Sequence, residues 1–215
     1  MTAPSINGVP PRSMLGLWTA GDTARLQEAI AFASRAHRNQ VRRDARTPYA
    51  SHVVRVMTTC AVVFGCTDPV ALTAAALHDT IEDTTTDFED IEERFGRDVA
   101  DCVSILTKNM ALPEAAREHE YDARLAAGPW QARLVKLADV FDNLCDIESY
   151  APEKREAKRL DAIDRAKRAV TLAMPDAARE PVGVAIGAVL TLLEAQPKAR
   201  LAARRRHGAR KRNKS

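Results

Sequence analysis

The chain has 215 residues, 46% hydrophobic, 28% charged and only 5% aromatic, a length that suits one domain with a real core. No apolar run reaches the roughly 18 residues of a membrane span, the opening MTAPSINGVPPRS lacks the basic-then-apolar order of a secretory signal, and Cys60, Cys66, Cys102 and Cys145 stand singly, as buried thiols of a reducing cytoplasm. Nine Lys/Arg and no acid lie between Lys198 and Ser215, so a chain of net +3 has a body, residues 1–197, of net −6; an acidic body argues against a dedicated nucleic-acid binder and confines any such contact to the basic tail.

Residues 1–20, with three prolines and no helical period, are expected to be a loose arm. Asp22 is placed to cap a first helix carrying Leu26, Ala29, Ile30, Ala33 and Ala36 on one face. The stretch VRRDARTPY interrupts it as a charged loop, and a second helix runs from His52 to Phe64, ended by Gly65. Asp68 and Pro69 open a third, expected to reach about Ile81. Thr86 and Glu89 have capping-box spacing and start FEDIEERF, closed by Gly96. Further helices are expected at about 97–108, 114–127, 130–149, 153–173 and 182–204, with prolines 113, 129, 152, 175 and 181 between them. No strand alternation and no internal repeat is found, so the chain reads as all-α, with one helical domain over 21–197 and a basic, disordered tail over 198–215.

The informative segment is ALHDTIEDTTTDFEDI. His78 and Asp79 stand adjacent on a face supplied by Leu72, Ala75 and Ala76, and on a continuous helix His78 would face Glu82, and Asp79 would face Asp83. A histidine and carboxylates turned toward a core are costly without a compensating cation, and this donor set favours Mn²⁺, Fe²⁺ or Zn²⁺; an exposed acidic helix end is the alternative. Two other places bear on it. His52 opens a valine-rich helix, and Asp139 sits on the apolar helix of Leu134, Leu137, Ala138, Phe141 and Leu144, with Asn143 one turn beyond.

The order His52, His78-Asp79, Asp139 is the pattern of the HD phosphohydrolase superfamily. Through AFASRAHRNQVRRD, TPYASHV, ALHDTIEDTTTDFEDIEERFG and LVKLADVFDNL the chain resembles its alarmone-hydrolase branch, the hydrolase domain of RelA/SpoT proteins and the single-domain small alarmone hydrolases. The likeness spans about residues 22–173 and implies an HD-domain helical bundle. It implies that His52, His78, Asp79 and Asp139 ligate one Mn²⁺, that Glu82 and Asp83 orient or deprotonate the attacking water, and that Arg42, Arg43 and Asn143 contact the nucleotide. The implied reaction removes the 3′-diphosphate of ppGpp or pppGpp, leaving GDP or GTP and pyrophosphate, as an antidote to a cognate alarmone synthetase. Two alternatives stay open: a phosphohydrolase acting on another nucleotide such as NADPH, and a non-catalytic nucleotide- or partner-binding module.

The sequence departs from the family at Asn39, where long members have Gly, at Val53 after the first matched histidine, and at Val140 and Asp142, which replace a basic residue and a His or Tyr. His37 and Lys136 read as structural, His119 as solvated, Lys108 as a helix-end lysine, and Trp18 and Trp130 as packing anchors or ligand stackers.

Overall fold

Ten α-helices, joined by short turns, make up residues 18–196, the part of the chain that the computed structural model describes. They are α1 Ala20–Ala36, α2 Ala50–Thr58, α3 Pro69–Leu77, α4 Thr80–Asp83, α5 Phe88–Phe95, α6 Arg97–Leu106, α7 Glu114–Ala127, α8 Trp130–Cys145, α9 Pro152–Ala173 and α10 Glu180–Glu194. The fold is all-α; among the described residues the sole β feature is an isolated bridge between Val41 and Pro48. No helix among them is long and apolar enough to cross a membrane. Most of the expected N-terminal arm and the whole of the tail 198–215 lie outside the described residues.

Two helix starts differ from expectation for the same reason. Asp22 is the third helical residue of α1 and not its cap: the Thr19 hydroxyl accepts from the Asp22 N–H, and the Asp22 carboxylate accepts from the Thr19 N–H. At α5 the cap is Asp87, with Asp90 closing the reciprocal pair, in place of Thr86 and Glu89. In both, an Asp at the third helical position closes the box in place of the usual Glu or Gln. Asp68 and Pro69 open α3 as expected, Asp68 accepting from the Ala71 N–H. Gly65, at φ 70, ends α2 beyond a five-residue π turn, Thr59–Val63.

Helix α8 packs against α2, α3, α6, α9 and α10. Its Leu134, Val135, Leu137, Ala138, Val140 and Leu144 are buried, each large side chain contributing about 1.5–3 kcal/mol relative to exposure. Helix α3 is buried at every position from Ala71 to Leu77, the behaviour of a core helix without a solvent face. Its alanines admit close neighbours, and Ala29 and Ala33 of α1 are fully buried in the same core. The end of α3 therefore delivers His78 into the interior. Three cysteines are buried free thiols, but Cys145, the last residue of α8, is exposed, because α8 ends there and the chain turns away through Ile147–Ser149.

Candidate active site

The helix expected to continue through Ile81 breaks at His78 and Asp79. Asp79 has φ −101 and ψ −1, and the chain restarts as the single turn α4. The Thr80 hydroxyl donates to the Leu77 carbonyl across the break at 2.6 Å. His78 and Glu82 therefore do not stack on one helix face; the break sends them to different parts of one cleft. His78 Nδ1 lies 2.9 Å from the Ala75 carbonyl. A carbonyl only accepts, so Nδ1 carries the proton and Nε2 presents its lone pair. That Nε2 is buried with no hydrogen-bond partner.

His52 is fixed by a residue that sequence reasoning registered only as a departure. Its Nδ1 donates to Asp142 Oδ2 at 2.7 Å, and Asp142 accepts from Arg55 Nε at 2.6 Å and Nη2 at 2.9 Å. The signal was available: Asp142 lies three residues after Asp139 on α8, near one face with it, and Arg55 three after His52 on α2. With Nδ1 committed, His52 Nε2 faces Asp79 Oδ2 and Asp139 Oδ1, each 3.4 Å away, and Asp79 Oδ2 is 3.1 Å from His78 Nε2.

These atoms fit a divalent metal. One donor atom each from His52, His78 and Asp139 lies within 4.8 Å of the others. Donor atoms this close would hold one ion between them. Charge agrees with shape. Burial pulls the His52 imidazolium down, yet hydrogen bonds to Asp139, Asp142 and Asp79 outweigh it and lift its pKa to about 10. Burial likewise raises Asp79 and Asp139, but His78 and His52 hold the first, and Lys136 and His52 the second, well below the carboxylate range. The centre stabilises positive charge wherever it is placed, as a cation-binding centre must.

Tyr49, also missed, donates its hydroxyl to Asp79 Oδ2 at 2.5 Å and stands 3.2 Å from Asp83 Oδ2. Its ring stacks on the buried His37 at 4.6 Å, and His37 Nδ1 lies 2.9 Å from Gln40 Oε1. Glu82 Oε2 accepts from the Lys108 backbone N–H at 2.8 Å. Burial, followed by the charges of Asp79 and Asp83, raises Glu82 despite that bond. Asp83 is raised by burial and Asp79, and the Gln40 amide holds its carbonyl at 2.7 Å.

The basic loop is more ordered than a solvated one. Arg42 N donates to the Thr47 carbonyl at 2.7 Å, and Asp44 accepts from the N–H groups of Arg46 and Thr47. Asn39 takes φ 68, a conformation in which Asn replaces Gly at small cost, so that departure preserves the backbone. The two matched arginines part company. Arg42 is buried and bound to Asp146 at 2.8 Å; Arg43 is exposed, donates to Asn143 Oδ1 at 2.9 Å and lies 4.6 Å over the Tyr150 ring. Asn143 in turn donates to Asp139 Oδ1 at 2.6 Å. Arg42, Arg43 and Asn143 line one cleft with His52, His78, Tyr49 and the carboxylates of Asp79, Glu82, Asp83 and Asp139, together with Lys108, Tyr121, Lys136 and Arg165. His119 is exposed, and the Trp18 indole donates to the Thr67 carbonyl.

The HD domain family matches residues 29–164. The guanosine-3′,5′-bis(diphosphate) 3′-pyrophosphohydrolase MESH1 of Drosophila melanogaster is 38% identical over 140 residues, covering 65% of this chain and 78% of that protein. The Homo sapiens protein of the same name is 40% identical over 133 residues, covering 61% and 74%. The bifunctional (p)ppGpp synthase/hydrolase SpoT of Escherichia coli is 34% identical over 137 residues, which span 19% of that longer protein. A solved structure described as a metazoan ortholog of SpoT that hydrolyses ppGpp superposes with a TM-score of 0.67 at 32% identity, over 80% of this chain and 94% of that one.

Proposed function

The chain belongs to the HD domain family, among the guanosine-3′,5′-bis(diphosphate) 3′-pyrophosphohydrolases, and from this premise we propose that it cleaves the 3′-diphosphate from ppGpp and pppGpp, releasing pyrophosphate and GDP or GTP. The observation that carries the reading is the meeting, in one cleft, of the His52, His78 and Asp139 donor set with the Glu82–Asp83 pair.

His52, His78, Asp79 and Asp139 would hold one divalent ion, which we take to be Mn²⁺ given two imidazoles, two carboxylates and no thiolate. Bound there, the ion would lower the pKa of water and draw charge from the phosphoryl oxygens. Glu82 is the proton acceptor. Lys108 N–H fixes Oε2, leaving Oε1 to take the proton of the attacking water, and burial makes the carboxylate more basic than usual. Tyr49 holds Asp79 and stands beside Asp83, keeping both carboxylates turned into the cleft. Arg43 and Asn143 supply donors for the nucleotide. Arg42 acts through them: it braces Asn143 and Asp146 from within. A reducing cytoplasm, which leaves Cys60, Cys66 and Cys102 as thiols, is the setting we assign, and an alarmone synthetase is the partner whose product this activity would remove.

The purified chain with Mn²⁺, given ppGpp, pppGpp or NADPH and followed by product chromatography, tests the assignment. GDP and pyrophosphate from ppGpp are expected. Orthophosphate from NADPH with ppGpp untouched would reassign the substrate, and nucleotide binding without turnover would make the chain a binding module.

A further inference from the structure

Five basic side chains line the cleft: Arg42, Arg43, Lys108, Lys136 and Arg165. Four already face an acid. Arg42 lies 2.8 Å and Arg43 3.6 Å from Asp146, Lys108 2.6 Å from Glu118, and Lys136 2.8 Å from Asp139. Arg165, exposed on α9, has no ion pair and no side-chain hydrogen bond among the described residues. It also stands where three spaces meet. Besides the cleft, it lines a pocket shared with Arg43, Asn143, Tyr150, Lys158 and Asp161, in which Asp161 pairs with Lys158 at 3.6 Å, and a smaller one beside Lys108 and Tyr121. Lys158 lies two turns earlier on the same face of α9.

This placement matters for a substrate with two anionic ends. In the nucleotide assigned above, one sugar carries phosphate chains on its 3′ and 5′ carbons. The end to be cleaved lies against Glu82, Asp83, Asp79 and Asp139, a strongly acidic wall. The other end must meet positive charge that is not already committed. Moving Lys136 to it would strip Asp139 of its ion pair, and moving Arg43 would release Asn143. Arg165 can turn without breaking anything, and its planar fork of donors suits the oxygens of a diphosphate.

We propose that Arg165 anchors the 5′ phosphate chain of the substrate in the pocket between α8 and α9, setting affinity and the preference between ppGpp and pppGpp without taking part in the cleavage. The inference rests on the activity proposed above, and its experiment separates the two. GDP carries the 5′-diphosphate but nothing at the 3′ position, so its binding to the metal-loaded full chain, measured by calorimetry with guanosine as control, reads this subsite without turnover. Arg165→Ala should weaken GDP binding about tenfold or more, leave guanosine unaffected, and raise KM for ppGpp by a similar factor with kcat nearly unchanged. Arg165→Lys should recover part of the loss. Arg165 is exposed, so its truncation leaves the core intact. Equal GDP affinity in wild type and Arg165→Ala would overturn the inference, as would a fall in kcat at constant KM. Failure of the wild type to turn over ppGpp would overturn the activity instead, with GDP binding still measurable.

Discussion

The two walls of the cleft are built on opposite principles. On the acidic wall each donor is fixed from behind: His78 by the Ala75 carbonyl, His52 by Asp142, Asp79 by Tyr49, Asp139 by Lys136 and Asn143, and Glu82 by the Lys108 N–H. Its histidines are almost wholly buried, so they keep their aim at little further entropic cost. The basic wall is exposed at Arg43, Lys158 and Arg165, and Arg165 can turn toward a ligand without breaking an ion pair. A centre that must place a water within a fraction of an ångström tolerates no slack, whereas phosphate recognition by long cationic side chains does. The contrast teaches that damage behind the acidic wall should act on metal and turnover, and damage on the basic wall on KM.

The largest break expected is removal of a ligand. His78→Ala or Asp79→Ala should abolish metal uptake, seen by elemental analysis, together with hydrolysis. The ion's contribution to stability should vanish too, so added Mn²⁺ should no longer raise Tm. Glu82→Gln comes next: metal content stays, and kcat falls by about 10²–10⁴. Because Glu82 is raised by burial and must be ionised to accept a proton, wild-type kcat should decline as pH falls through a pKa above the usual glutamate value, and the variant's residual rate should lack that acid limb.

The paired arginines sharpen the comparison, since one belongs to each principle. Arg42→Ala removes the buried partner of Asp146 and Asn143, which keep only their outer arginine contacts, and should cost about 1–3 kcal/mol, a fall in Tm of roughly 2–12 °C by calorimetry. Arg43→Ala should leave Tm nearly unchanged and raise KM for ppGpp. Equal loss of stability in both would erase the distinction. The smallest effect should come from Asp142→Asn. His52 keeps a neutral acceptor but loses the charge that polarises its ring, so Mn²⁺ affinity, measured by chelator competition, should fall about ten- to a hundredfold with helicity retained.

Much of this was legible in the chain itself. Apolar periodicity and the prolines between helices determined an all-α domain, because burial of one face per helix is written in local spacing. His52, His78, Asp79 and Asp139 could be singled out because imidazole and carboxylate groups within apolar patterns are costly without a compensating cation, and because their order matches that of the HD superfamily. Tertiary structure decided the rest. Whether α3 continues past His78 depends on the all-round burial of Ala71–Leu77 against its neighbours, which local propensity does not encode. Arg42 and Arg43 look alike in sequence, and only the position of Asp146, some hundred residues away, makes one a buried strut and leaves the other exposed at the cleft. Asp142 read as a mere departure until α2 packed on α8 and set it against His52. Arg165, one of many charges on α9, gained its meaning from what stands opposite it: a hydrogen bond or ion pair is a property of two residues, and sequence places only one at a time.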